Sequence, residues 1–256
     1  MVLLIDMGNT DLTLAAWGGT KAYFDARIPT NRSWSKQEYT EKISAALAGW
    51  QNPVFEGCAL SSVVPVLTQP VAAAMQHVTG QTPVLLNYSG RLSFSVNTRD
   101  EIGADMLAGA EAVKARFPLP AIVADLGTCT TFCAQNAAGD VLGVAIAPGV
   151  ALGLEAMVGR ASHLCQVAFE PPSAALGITT AQSMQSGVVL GAASMLDGMF
   201  RRIANEMPQS EGQPALILTG GLAGLIAPFC ELPVTVAPDL LMQGLYQYYL
   251  NNKKPG

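Results

Sequence analysis

The sequence predicts an α/β protein built as two similar halves that face each other across a cleft. Two observations carry this. Short apolar runs alternate along the chain with stretches of helical periodicity, as when helices pack on sheets. One distinctive stretch also occurs twice. Residues 121–134 read Ala-Ile-Val-Ala-Asp125-Leu-Gly127-Thr128-Cys-Thr130-Thr131-Phe-Cys-Ala, and residues 2–15 read Val-Leu-Leu-Ile-Asp6-Met-Gly8-Asn9-Thr10-Asp-Leu-Thr-Leu-Ala. The two aspartates lie almost half a chain apart. That period exceeds the roughly 20–50 residues of a solenoid repeat and fits a duplicated domain. The competing reading is two hairpins that share a common turn chemistry.

The elements follow in order. Residues 1–16 form the first hairpin, and residues 22–28 add a third strand. Tyr39, Ile43, Ala46, Leu47 and Trp50 recur at helical spacing over Ser35 to Trp50, with Ser35 and Glu38 as a capping box. Residues 54–64 read as a buried strand ending at Ser61-Ser62-Val-Val-Pro65, and a helix follows over about 67–79. Residues 82–88 read as a short strand, and 91–102 as a strand followed by a polar loop. Gly103-Ala104-Asp105 opens a helix to about Phe117, closed by Pro118 and Pro120. These prolines mark the join, so the halves are expected at 1–118 and 119–256.

The second half repeats the plan. Strands at 121–134 and 141–147 lead to Pro148-Gly149 and a helix over 150–158. An irregular segment with Pro171-Pro172 fills 159–176. Thr180 to Ala204 reads as one long apolar helix. Its Gly187, Gly191, Ala192, Ala193 and Ser194 permit close packing on another helix, while Met184, Met195 and Met199 read as core filling. A strand at 215–218 enters Thr219-Gly220-Gly221 and a helix. A strand at 234–236 and a helix at 239–250 end the pattern.

Composition narrows the function. With 50% hydrophobic and 13% charged residues, the 256-residue chain has ample core and is not disordered. So little charge implies apolar surface, some of it in a subunit interface. The net charge of −5 argues against nucleic acid and anionic membranes as partners. Gly, Pro or Asp interrupts the longest apolar runs, so no membrane-spanning segment is expected. No basic leader precedes the first strand, and five irregularly spaced cysteines suit reduced thiols, so a cytoplasmic protein is expected. Cys129 and Cys133 lie on a hairpin without a second pair, a poor zinc site.

Ligands of α/β folds sit beyond strand ends. The candidate loops are therefore those at Asp6, Asp105, Asp125 and Thr219-Gly220-Gly221. In each Asp-x-Gly turn the glycine lets the backbone approach a ligand. Hydroxyls and loop amides can hold phosphate oxygens, and the carboxylate can hold a cation. An aspartate at a helix start, as at Asp105, is also commonly a simple N-cap. No Gly-x4-Gly-Lys-[Ser/Thr] stretch is present, which excludes a P-loop kinase.

Taken together, these motifs resemble the superfamily of acetate and sugar kinases, heat-shock chaperones and actin. Within it the chain resembles type III pantothenate kinase. The matching stretches are Asp6-Met-Gly8-Asn9-Thr10, Ser61-Ser62-Val-Val-Pro65, Gly103-Ala104-Asp105, Asp125-Leu-Gly127-Thr128, Pro148-Gly149, Thr180-x-x-Ser183 with Ser186-Gly187, Thr219-Gly220-Gly221 and Gly244-Leu245. The resemblance implies two actin-like (ribonuclease H-like) halves with mixed central sheets. It implies transfer of the γ-phosphoryl of ATP to pantothenate, the first step of coenzyme A synthesis. Asp105 would be the general base. Asp6, Gly8, Asn9, Thr10, Thr128, Gly220 and Gly221 would bind ATP, with Asp6 helping to hold Mg²⁺. Asp125 would bind a monovalent cation, potassium or ammonium. Val96, Gly103, Ala104, Met106 and Thr180 would line the pantothenate pocket, Thr180 from a homodimer partner.

The departures lie mainly on the acceptor side. Met106 stands where the family has arginine, Val96 where it has tyrosine, and Arg99 where it has proline. Val144 replaces a glycine, and Cys165 replaces the proline of a Leu-Pro pair. A thioether cannot pair with an anionic or polar group as a guanidinium does. Three readings follow: a pantothenate kinase with a repacked pocket, a same-fold kinase with another small acceptor, and a non-catalytic nucleotide-binding regulator. Retention of Asp6, Asp105 and Asp125 favours the first two, because unpaired clustered carboxylates repel one another.

Overall fold

The computed structural model describes residues 1–19, 21–50, 54–96 and 101–253. The chain divides into two compact units. The first holds β1 (Val2–Met7), β2 (Asp11–Gly18), β3 (Lys21–Pro29), α1 (Lys36–Leu47), β4 (Gly57–Ser62), α2 (Pro65–Thr79), β5 (Val84–Leu85) and α3 (Ala104–Arg116). The second holds β6 (Ala121–Leu126), β7 (Cys129–Gln135), β8 (Val141–Pro148), α4 (Val150–Arg160), α5 (Thr180–Glu206), β9 (Ala215–Thr219), α6 (Ala223–Ile226) and β10 (Val234–Val236). The last helix, α7 (Leu240–Asn252), returns to the first unit. The expected division at 119–256 is corrected on this point. Helix α7 buries Leu240, Leu245 and Tyr248 and packs along α3, a partner of equal length.

Each unit is one mixed five-stranded sheet, and the two sheets share a topology. Strand order is β3-β2-β1-β4-β5 in one and β8-β7-β6-β9-β10 in the other. In both, the hairpin strands pair antiparallel and the two later strands add in parallel. The duplication read from two short motifs therefore extends to whole sheets.

Alternation decides which face of each sheet is core. Leu3, Ile5 and Met7 of β1 point into a cluster with Tyr39 and Ile43 of α1 and Leu67, Val71 and Met75 of α2. Asp6 lies on the other face with Val2 and Leu4, the side where α3 and α7 pack. In the second unit Ile122, Ala124 and Leu126 face Val189, Leu196 and Phe200 of α5, and Phe132 meets Phe200 edge to face at 5.9 Å. The Ser35/Glu38 capping box is formed, with Glu38 Oε2 accepting from Ser35 N at 2.7 Å.

The short strand expected over 82–88 forms in part, and the strand expected from residue 91 does not. Strand β5 keeps only Val84 and Leu85, because the Tyr248 hydroxyl takes the carbonyls of Leu85 and Asn87 at 3.3 and 3.2 Å. Residues 91–95 form no strand. Their backbone is satisfied by side chains instead: Arg91 N–H and C=O by Asn252, and Ser93 N–H by Glu111. Val96 keeps one isolated bridge and is half-buried. The Arg99 position lies outside the described residues.

Candidate active site

In the first unit the site is built around Asp6. The cross-strand neighbours of Asp6 are Thr13 on β2 and Ser61 on β4, so two hydroxyls flank one carboxylate on one face. Arg27 continues the row, opposite Thr13. Ser61 is buried, and its hydroxyl makes no hydrogen bond of regular geometry; its nearness still favours the ionised form of Asp6. Burial nevertheless dominates and pushes the Asp6 carboxyl up to about 6, with the charge of Asp105 adding to the rise.

Asp105 occupies the first turn of α3. Its Oδ1 accepts the Met106 N–H at 2.8 Å, the local bond of an aspartate at a helix start. Burial raises its pKa, and that backbone bond only partly offsets the rise. Gly103 leaves the Asp105 carboxylate its place, since a Cβ there would press on it. The entry to α3 is held by Tyr88, whose hydroxyl donates to Ile102 O and accepts from Ile102 N, both at 3.0 Å. Below it the fully buried Glu111 accepts from Ser93 N and Oγ at 2.8 and 2.7 Å. Ala104 and Met106 are half-buried at the same helix start.

The loop after Asp6 is closed by Gly8 N–H donating to Asp11 O at 2.9 Å. Asn9 and Thr10 are exposed at its tip. The segment after β3 is laced to this loop. Thr30 donates from Oγ1 to Gly8 O and from N to Thr10 O, both at 2.8 Å, and Arg32 Nη2 donates to Asn9 Oδ1 at 3.1 Å.

The second unit carries the counterpart. Asp125 sits in β6 as Asp6 sits in β1, flanked by Thr131 and Thr219. The Thr219 hydroxyl, like that of Ser61, is buried without a hydrogen bond. Gly220 adopts φ +91° where β9 leaves the sheet, and a Cβ there would lie 2.5 Å from Asp125 Oδ1 and 2.6 Å from Leu126 O. Gly149 lets the start of α4 approach the 127–128 turn, where a side chain would strike its carbonyls. Thr128 and Gly221 are exposed.

Most of the expected nucleotide and base residues thus gather, unit by unit, at strand ends. Thr180 is placed elsewhere. It follows the N-cap Thr179 of α5 and lines a cavity of about 600 Å³ with Met157, Leu164, Ile178, Ser183 and Met184. Sequence reasoning missed Arg32, Thr30, Tyr88 and Glu111, all of which act through partners distant in sequence.

The model of a family described as type III pantothenate kinase matches residues 2–202. A type III pantothenate kinase of Desulfatibacillum aliphaticivorans is 36% identical over 96% of each chain. The chain belongs to the type III pantothenate kinase family. A second such kinase, from Roseiflexus castenholzii, is 36% identical over 99% of this chain and 100% of its own. Solved structures add the fold. A protein of Sinorhizobium meliloti described as a 2-dehydro-3-deoxygalactonokinase aligns with TM-score 0.59 at 12% identity, covering 97% of this chain and 98% of that one. An activator of 2-hydroxyisocaproyl-CoA dehydratase from Clostridium difficile aligns with TM-score 0.54 at 12% identity over 96% and 93%. A type III pantothenate kinase is an ATP-dependent kinase, and the carboxylate loops of both units have the parts that phosphoryl transfer uses.

Proposed function

We propose that the chain phosphorylates pantothenate, transferring the γ-phosphoryl of ATP to its primary hydroxyl to give 4'-phosphopantothenate in coenzyme A synthesis. The observation that carries this is the half-buried Asp105 carboxylate, raised in basicity by desolvation and acting on the charge of Asp6, in a member of this family. Asp105 accepts the acceptor's hydroxyl proton, the oxygen forms its bond to γ-phosphorus, and the β–γ bridging bond breaks as ADP leaves. A base held above the ordinary carboxylate range by burial takes that proton more readily.

The loop of Gly8, Asn9 and Thr10 and the turn at Thr128 offer amides and hydroxyls to phosphate oxygens. Gly221 leaves backbone open to the adenosine, and Gly220 supplies the left-handed turn that presents it. Among the described residues no cluster of three His, Cys, Asp or Glu could enclose a metal. A lone carboxylate such as that of Asp6 suits Mg²⁺, which keeps waters and binds through one or two carboxylates plus substrate phosphates. Asp6 would hold it, and it would neutralise developing phosphate charge. The cradle of Asp125 Oδ1 and the Leu126 carbonyl beside Gly220 suits a monovalent cation, potassium or ammonium. We further assign a homodimer and a cytoplasmic setting. Among the described residues no helix is long and apolar enough to cross a membrane.

Met106 and Val96 favour a second reading, a same-fold kinase with a different small acceptor. ADP release measured with and without pantothenate separates the two. Pantothenate-dependent turnover is expected, and Asp105→Asn is expected to lower it by about 10²–10⁴ with an unchanged melting temperature. ATP turnover indifferent to pantothenate would transfer the site to another acceptor. Near wild-type turnover in Asp105→Asn would remove Asp105 as base.

A further inference from the structure

We propose that Arg32 is a phosphate-binding residue of the first loop and contacts the terminal phosphate of the bound nucleotide. The inference deepens the kinase reading and rests on it. Three observations lead here. Arg32 is exposed and has no carboxylate partner among the described residues, in a chain of net charge −5. Its only side-chain bond among them is the one from Nη2 to Asn9 Oδ1, 3.1 Å long, at the tip of the loop that follows Asp6. A guanidinium has five donors in a planar fork, so this bond orients the group and leaves an edge for phosphate oxygens.

The backbone that carries Arg32 is held on both sides. Thr30 is bonded to Gly8 and Thr10 of the loop. Asn31 exchanges hydrogen bonds with the buried Tyr39, giving N–H to its hydroxyl at 3.2 Å and taking that hydroxyl's proton on its carbonyl at 2.9 Å. The Asn31 side chain then closes a turn by accepting from Ser33 N and Oγ at 2.9 and 2.7 Å. A flexible solvated arginine needs no such platform, whereas a ligand-binding one loses less entropy when its base is fixed.

Charge completes the argument. Asp6 and Asp105 face a site that must receive a polyphosphate, and the position after Asp105 holds Met106. The carboxylates repel phosphate unless cations intervene. Arg27 stands two strands from Asp6 in its row, and Arg32 is the cation bonded to the phosphate loop itself.

The test uses the full chain with Mg²⁺, as wild type, Arg32→Ala and Arg32→Lys. Calorimetric titration with ATP, ADP and AMP reads binding without turnover. Michaelis constants for ATP and pantothenate are read separately. In Arg32→Ala, ATP affinity is expected to fall about ten- to a hundredfold, ADP affinity less, and AMP affinity hardly. Lysine restores part of the loss, because it keeps the charge without the fork. The KM for pantothenate stays within about twofold of wild type. Equal loss for ATP and AMP would overturn the assignment, as would unchanged ATP affinity. A rise confined to the pantothenate KM would instead make Arg32 a reader of the acceptor carboxylate. If wild type turns over no pantothenate, the acceptor reading fails, yet the titrations still decide Arg32.

Discussion

At the scale of residues, the Asp6–Asp105 pair sets the pH response. Burial holds both carboxyls above the ordinary value, Asp6 at about 6. With Asp105 as the proposed base, catalysis needs it ionised, so activity is expected to fall as pH drops through a range above that of a solvated aspartate. Because the charges interact, the midpoint belongs to the pair. The expected kcat/KM profile loses activity on the acid side at a pH above the ordinary carboxylate range, and a profile that stays level down to the range of a solvated aspartate would contradict the burial argument. The same shift has a stability sign. A carboxyl with a raised folded pKa binds protons better folded than unfolded. The ligand-free chain therefore loses stability as pH rises from the unfolded value of 3.8 to about 6. Both aspartates were legible in the sequence because each lies in a local motif. Arg32 was not, since its meaning rests on Asn9, across a hairpin and a strand. Glu111 was not either, since its partner Ser93 lies outside its own helix.

At the scale of elements, the turn from β9 into α6 shows how a backbone makes a site. Gly220 needs φ +91°, and its missing Cβ is what leaves room for the Asp125 carboxylate and the Leu126 carbonyl. Gly221 beside it has no neighbour within 4 Å of a built Cβ. Adjacent substitutions should therefore separate. Gly220→Ala is expected to cost about 1–3 kcal/mol in backbone strain alone, with further loss from the clash. Its melting temperature should fall by roughly 2–10 °C. Gly221→Ala should stay within about 0.5 kcal/mol of wild type. Scanning calorimetry of both variants decides it, and equal melting temperatures would refute the cradle. Where pattern reading succeeded, the periodicity was long, as in α1, α3 and α5. It overran the strand at 84–85 and failed at residues 91–95, where Tyr248, Asn252 and Glu111 take up backbone groups that a longer strand would have paired. No local pattern encodes such partners. Likewise, the return of α7 to the first unit depends on packing against α3, which neither helix announces alone.

At the scale of the whole molecule, a duplicated sheet explains why two loops share one chemistry, and the surface of the second unit explains what else the chain needs. Ile178 and Leu176 are 92% and 88% exposed, and Leu152 and Met157 add apolar surface from α4. On α5, Gly187, Gly191 and Ser194 lie exposed at helical spacing, while Ala192 and Ala193 of the same stretch are buried in the unit's own core. One face of α5 thus completes the core, and the other offers small residues beside the apolar cavity at Ile178. Apolar side chains this exposed favour association, because covering them removes area from water at about 25 cal/mol per Å². A twofold interface places the same patch against itself. The expected state is a homodimer of twice the 26.7 kDa chain. Ile178→Asp should weaken it, since a charge buried against apolar partners costs several kcal/mol. Thr180 lies in the same cavity, so the dissociated variant should lose affinity for acceptor more than for ATP. Light scattering at micromolar concentration, with Michaelis constants for both substrates, checks the two parts together. A wild-type monomer would refute the dimer and detach Thr180 from the acceptor, whereas a monomeric variant with wild-type acceptor affinity would detach Thr180 alone.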